Sequence, residues 1–148
     1  MSHREFRFRT VVDAGVVQVF DLSRSIDLHV DSMQRSKERA VAGVTSGLIG
    51  PDQSVTWEAR HFGRTWRVTS RISEFDPPRR FVDEMSEGPF AYYRHEHLFE
   101  EKDGRTVMDD VVRFRTRFGP LADRMAEVYL RRLMKVRNEH IRKAASPP

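Results

Sequence analysis

The chain contains no cysteine. Disulfide scaffolds, thiolate metal sites and cysteine nucleophiles are therefore excluded, while the redox compartment stays open. Long apolar runs are lacking too. Nothing approaches the roughly 20 apolar residues of a spanning helix, and Met1-Ser2-His3-Arg4-Glu5 leads into alternation rather than into the apolar stretch of a leader. A cytoplasmic protein without stable membrane insertion is the expectation. Charge of one sign is not strongly in excess: 26 Lys and Arg stand against 22 Asp and Glu, a net +4. Acids are interspersed among the arginines, as in Arg94-His95-Glu96 and from Asp109 to Arg113. With no fingerprint or aromatic-basic motif behind it, this reads as solvated surface, and no nucleic-acid partner is expected.

The length, 148 residues, suits one domain with its own core. Residues 5–12 alternate at period two and predict a strand, which Asp13-Ala14-Gly15 breaks. Helical spacing of Val16, Val17, Val19, Phe20 and Leu22 follows, with a second short helix or loop before Met33. Strands are predicted over 39–45, 53–62, 65–75, 80–87, 91–101 and 105–116, an antiparallel meander cut by Gly63, Pro77-Pro78, Gly88-Pro89 and Asp103-Gly104. After Phe118-Gly119-Pro120 a long helix is predicted over 121–144. Its apolar stripe is read as Leu121, Met125, Val128, Tyr129, Leu133, Val136 and Ile141. Arg124, Arg131, Arg132, Lys135, Arg137, Arg142 and Lys143 form its solvated face, and residues 144–148 a flexible tail. The order of elements gives an α+β class.

This succession resembles the helix-grip fold of the START/Bet v 1-like superfamily, which includes polyketide cyclases and lipid-transfer domains. The resemblance covers nearly the whole chain. It is carried by Ala14-Gly15-Val16-Val17-Gln18-Val19-Phe20, by Gly63, and by Phe75-Asp76-Pro77-Pro78-Arg79-Arg80-Phe81. The stretches from Phe81 to Phe90, His95 to Phe99 and Thr106 to Asp110 are similar to a bacterial single-domain subgroup. Gly15 departs from the pattern, since many members have proline there, and it leaves the helix start less rigid. The resemblance implies a curved antiparallel sheet wrapped around the long C-terminal helix, two short helices after the first strand, and a ligand cavity between sheet and helix.

Turn chemistry then says which side chains meet. Asp103-Gly104 as a two-residue turn sets Phe99 opposite Met108, His97 opposite Asp110 and His95 opposite Val112. Gly63-Arg64, treated likewise, sets His61 opposite Trp66, Ala59 opposite Val68, Trp57 opposite Ser70 and Val55 opposite Ile72. A bend at Gly88-Pro89-Phe90 puts Asp83 near His95 and Phe81 near His97. The inward face gathers Trp57, Trp66, Phe81, Met85, Tyr93, Phe99, Met108 and Phe114 as walls, with His61, Asp83, His95, His97 and Asp110 as polar groups. An unpaired buried carboxylate is costly, so Asp83 is expected to pair with His95 and Asp110 with His97.

Four roles stay open for these groups: hydrogen-bonded pairs that fix register, the polar end of a ligand pocket, a His-Asp general base, or N/O ligands for a metal. His95-x-His97 alone is a weak metal signal, and neither metal nor cofactor is expected. The resemblance implies a place for His29 near the cavity entrance, and a surface histidine is the equal alternative. The reading taken forward is a binding or carrier domain for a mostly apolar small molecule, lipid-like, aromatic or polyketide-like. The alternatives are a cyclase or dehydratase using His95, His97, Asp83 or Asp110, and a protein-interaction module. A homodimer is left open.

Overall fold

Strand β1, Arg4–Val12, buries Phe6, Thr10 and Val12 while Glu5, Arg7, Arg9 and Val11 face out, the period-two pattern of a half-buried strand. This computed structural model describes residues 3–61 and 63–145, with Ser36 and His61 described by their backbone alone. Two short helices follow, α1 (Val16–Ser23) and α2 (Ile26–Ser32). The Ser25 hydroxyl caps α2 by accepting from the Leu28 amide at 3.2 Å. The meander then runs through β2 (Arg39–Gly43), β3 (Ser54–His61), β4 (Arg64–Asp76), β5 (Arg80–Glu87), β6 (Tyr92–Lys102) and β7 (Arg105–Arg115). Helix α3, Pro120–Ala144, closes the chain.

The seven strands form one antiparallel sheet in the order β1-β7-β6-β5-β4-β3-β2. Helices α1 and α2 join its two edge strands, and α3 packs across it against β1, α1 and α2. This is the helix-grip architecture. One core cluster centres on Phe20, whose ring meets Phe75, Phe81 and Phe99 at centroid distances of 5.5, 5.4 and 5.3 Å. Edge-to-face contacts of this kind tie α1 to β4, β5 and β6. A second cluster joins Phe6, Val112 and Phe114 of the sheet to Leu130 and Met134 of α3. No described helix is long and apolar enough to cross a membrane.

Two of the three turn-based registers stand as read. Lys102 pairs with Arg105, His97 with Asp110 and His95 with Val112; Asp83 lies opposite His95 and Phe81 opposite His97. The β3–β4 register is shifted by two residues: His61 pairs with Arg64, Ala59 with Trp66 and Trp57 with Val68. Gly63, with φ +71°, stands immediately before the return strand, as Gly104 does with φ +77° after Asp103. A turn of the Asp103-Gly104 kind has positive φ at both central positions, with glycine in the second, and Gly63 takes that same second place. A shift of two preserves strand parity, and the same side chains still face inward.

The face that α3 turns to the core is also corrected. Its buried residues are Leu130, Met134, Arg137, Asn138 and Ile141, whereas Leu121, Met125, Val128 and Val136 are exposed. A stripe through 130, 134, 137 and 141 is hard to see because its centre is an arginine. Ala144 is the last helical residue and Ala145 packs against the core, so the first two residues of the expected tail are ordered; 146–148 lie outside the described residues.

Phe20→Ala removes the ring on which three others converge and should destabilise the fold by about 3–5 kcal/mol. The shift of the urea unfolding midpoint measures it.

Candidate functional site

Between the sheet and α3 lies an open cavity of about 700 Å³. Its walls come from successive inward positions of β3 to β6: Val55, Trp57, Ala59, Trp66, Val68, Ile72, Phe81, Met85 and Tyr93. Helix α3 contributes Met125, Val128, Tyr129, Leu133 and Met134. Of the residues anticipated from the sequence, Trp57, Trp66, Phe81, Asp83, Met85, Tyr93, His95 and His97 line it. Phe99, Met108, Asp110 and Phe114 do not, being buried in the packed layers behind it. They sit in the part of the sheet that α1 and the second half of α3 cover. His61 ends β3, with its side chain outside the described residues.

The polar end is one connected network, and its pairing is the reverse of the expected one. His95 Nε2–H donates to Asp110 Oδ1 at 2.7 Å, and His97 Nε2–H donates to Asp83 Oδ2 at 2.6 Å. Each bond runs diagonally across the ladder rather than between directly opposite residues. The two imidazoles stack on each other, 3.7 Å apart and 21° from parallel. Phe81 continues the stack, 4.0 Å from His97.

Arg137 completes the network from α3. Its Nη2 donates to His97 Nδ1 at 3.2 Å and to the Ser23 carbonyl at 3.3 Å; its Nη1 donates to Asn138 Oδ1 at 3.1 Å and to Asp110 Oδ1 at 3.4 Å. Asn138 Nδ2 donates to Asp110 Oδ2 and to Thr10 Oγ1, each at 2.9 Å. Asp110, with no exposed surface, thus accepts from His95, Arg137 and Asn138. Because a guanidinium can only donate, His97 must accept at Nδ1 and carry its proton on Nε2. It is the neutral tautomer.

The electrostatics agree with that assignment. Burial, assisted by the neighbouring His95, pushes His97 down from 6.5 to about 4 against the opposing pull of Asp83. Burial alone would raise both aspartates, but the hydrogen bonds from the imidazoles and the charge of Arg137 outweigh it and hold Asp83 and Asp110 below the usual range. Tyr93, raised by burial and by the charge of Asp83, stays a phenol. Asp83 keeps 19% of its side-chain surface and faces the cavity. His95 Nδ1 lies 3.9 Å from Asp83 Oδ2, beyond hydrogen-bond reach, and both residues line the cavity.

A second His–carboxylate pair lines the cavity on the other side. His29 Nε2 bonds Glu38 Oε1 at 2.5 Å and stacks on Trp57 at 4.1 Å. His29 is thus a lining residue of the cavity. Glu38, Arg137 and Asn138 escaped sequence reasoning; a buried Asp110 in need of a cation was the available signal for Arg137. Asp83, His95 and His97 present three ligand atoms within 4.8 Å of one another, the right donor types for a divalent ion. Arg137 already supplies a cation beside them, and a metal on His97 Nε2 would have to displace the bond to Asp83 and force a proton onto the nitrogen that Arg137 now addresses. The donor set fits a metal poorly.

Fold and site together define a helix-grip domain with a cavity between sheet and terminal helix. The profile of the polyketide cyclase / dehydrase and lipid transport family matches residues 3–146, and the chain belongs to that family. A comparison with curated proteins finds no match. Among solved structures the chain is similar to a Thermus thermophilus protein, with TM-score 0.75 and 19% identity over 97% of this chain and 100% of the other. It is similar also to the Zhui aromatase/cyclase of a Streptomyces species, with TM-score 0.76 and 18% identity over 95% and 92%. A major latex-like protein of Panax ginseng matches with TM-score 0.70 and 10% identity over 99% and 100%. At these identities the likeness is one of fold.

Removing Arg137 leaves Asp110 buried beside unpaired acceptors, so Arg137→Met should cost about 3–5 kcal/mol of stability. Adding Asp110→Asn to it should cost less than the two single losses together, as a double-mutant cycle in urea would show. Between the folded value of about 4 and the ordinary 6.5 for His97, the unfolded chain binds more protons than the folded one. Stability therefore falls as pH drops through that window, by an amount on the order of a few kcal/mol, and falls further below it as the aspartates protonate. His97→Gln should flatten the profile between pH 6.5 and 4 in pH-dependent urea melts.

Proposed function

We propose that the chain is a binding or carrier domain for a mostly apolar small molecule that presents a hydroxyl or similar hydrogen-bond donor at one end. The observation that carries this reading is the asymmetry of the cavity. Its walls are aromatic and aliphatic, while its polar end turns acceptors, the Asp83 carboxylate and His95 Nδ1, toward the space. Arg137, the cation of that end, is committed to Asp110, His97, Asn138 and Ser23. A ligand carboxylate at that end would lie beside the Asp83 carboxylate, with Arg137 already engaged by the protein. Phenols, alcohols and hydroxylated ring systems suit the site better than fatty acids, and the flat faces of Trp57, Phe81 and Tyr93 suit rings.

The alternative of catalysis draws on the same network. Asp110 holds His95 by its Nε2–H, which turns Nδ1 toward the cavity as a candidate general base. A carrier and an enzyme respond differently to His95→Gln: the carrier loses a few-fold in affinity, whereas an enzyme loses rate far more than affinity. The interaction-module reading called for a filled space between sheet and helix, and about 700 Å³ lies there instead.

Native mass spectrometry of freshly purified protein, with extraction of any retained molecule, tests the proposal directly. Titration with a fused-ring phenol and its carboxylic acid analogue, followed by tryptophan fluorescence, should show at least about tenfold tighter binding of the phenol, a difference of about 1.4 kcal/mol. No retained molecule and no thermal shift with a library of apolar ligands would sink the carrier reading.

A further inference from the structure

Every exposed side chain from 117 to 136 is either apolar or basic. Phe118, Leu121, Met125 and Val128 are 80, 72, 67 and 55% exposed. The spacing of Leu121, Met125 and Val128, four and three residues, puts them in one row along the start of α3, and Phe118 lies just before the helix. Arg117, Arg124, Arg132 and Lys135 are exposed beside that row. The two acids of the same stretch are turned away and occupied: Asp123 accepts from the Thr116 amide and hydroxyl, and Glu127 from Arg4 and Arg131. Glycine and proline at 119 and 120 are the remaining exposed residues before Leu121.

Such a row is unusual on a free surface. Large apolar side chains exposed singly are ordinary, but three in a helical row with Phe118 just before them, cations on their flanks and no exposed acid among them form a patch with a partner chemistry. The row is continuous with the cavity, for Phe118, Met125 and Val128 also line its opening.

We infer that the first half of α3, with Arg117 and Phe118 before it, is a reversible docking surface for an anionic lipid bilayer. Phe118, Leu121, Met125 and Val128 enter the boundary between headgroups and acyl chains. Arg117, Arg124, Arg132 and Lys135 meet the lipid phosphates, the arrangement by which an amphipathic helix lies in the plane of an interface. A protein partner of matching acidity would not need the apolar row to be contiguous with an open cavity. A bilayer would: a molecule leaving the acyl region could reach the cavity without crossing water. The docking surface stands on the exposed row and its charges, whether or not the cavity takes the ligand class proposed above.

The test is flotation of the full chain with vesicles of phosphatidylcholine alone and with about 30% phosphatidylglycerol. Binding to the anionic vesicles at least about tenfold tighter than to the neutral ones is expected, and raising the salt from about 0.05 M to about 0.5 M should release most of the protein. Leu121→Ser with Met125→Ser, and separately Arg124→Glu with Arg132→Glu, should each reduce vesicle binding about tenfold or more. All four positions are exposed, and an unchanged thermal midpoint confirms that each variant is folded. Equal binding to both vesicle types, or no binding to either, would overturn the inference. So would concentration-dependent dimerisation that Leu121→Ser with Met125→Ser abolishes, which would give the row to a second copy of the chain. Ligand titrations score the cavity separately, so a failed vesicle assay leaves that reading untouched.

Discussion

A carboxylate with no exposed surface sits on the inner face of the sheet, one strand in from its β1 edge, and most of what is specific about this molecule follows from satisfying it. Asp110 on β7 cannot stay charged in an apolar layer unless donors surround it. His95, Arg137 and Asn138 supply them, two from α3 and one from the neighbouring strand. Apolar packing would allow α3 many seats on a curved sheet, since dispersion contacts are non-directional. The Asp110 hydrogen bonds allow one rotation and one height. That rotation sends Leu130, Met134 and Ile141 into the core and leaves Leu121 and Met125 at the surface.

The same bonds set the state of the cavity's polar end. Arg137 donates to His97 Nδ1, which leaves that ring neutral and aims its Nε2–H at Asp83. Asp110 holds His95 by Nε2 and so presents Nδ1 on the other side. The network that looks like a cluster of independent acid–base residues is a chain of fixed donors and acceptors ending at the cavity wall. Within that network the guanidinium of Arg137 is spent on protein acceptors, Asp110, His97, Asn138 and Ser23.

Helix α3 therefore does three things along its 25 residues. Its second half anchors the sheet through Arg137, Asn138 and Ile141. Tyr129, Leu133 and Met134 wall the cavity. Its first half carries an exposed apolar row beside the opening. An amphipathic helix with one stripe and one solvated face has no room for all three, and the periodicity therefore points Leu121, Met125, Val128 and Val136 at the core although they are exposed.

What the sequence by itself determined is local and periodic. Alternation placed all seven strands within about two residues of their ends, and Asp103-Gly104 set the β6–β7 register, because a two-residue turn leaves no freedom in pairing. Strand parity survived even the error at Gly63, so Trp57, Trp66, Phe81, Asp83, Met85, Tyr93, His95 and His97 were legible as inward-facing. Tertiary structure alone decided which partner each imidazole takes, since His95 and His97 each bond a carboxylate diagonal to them and not the one directly opposite. It alone brought Arg137 inside. A helix period counts arginine as surface, and only the position of a carboxylate 27 residues away in sequence makes it a core residue. Pairing between distant charges is a property of the packed arrangement, and no local pattern encodes it.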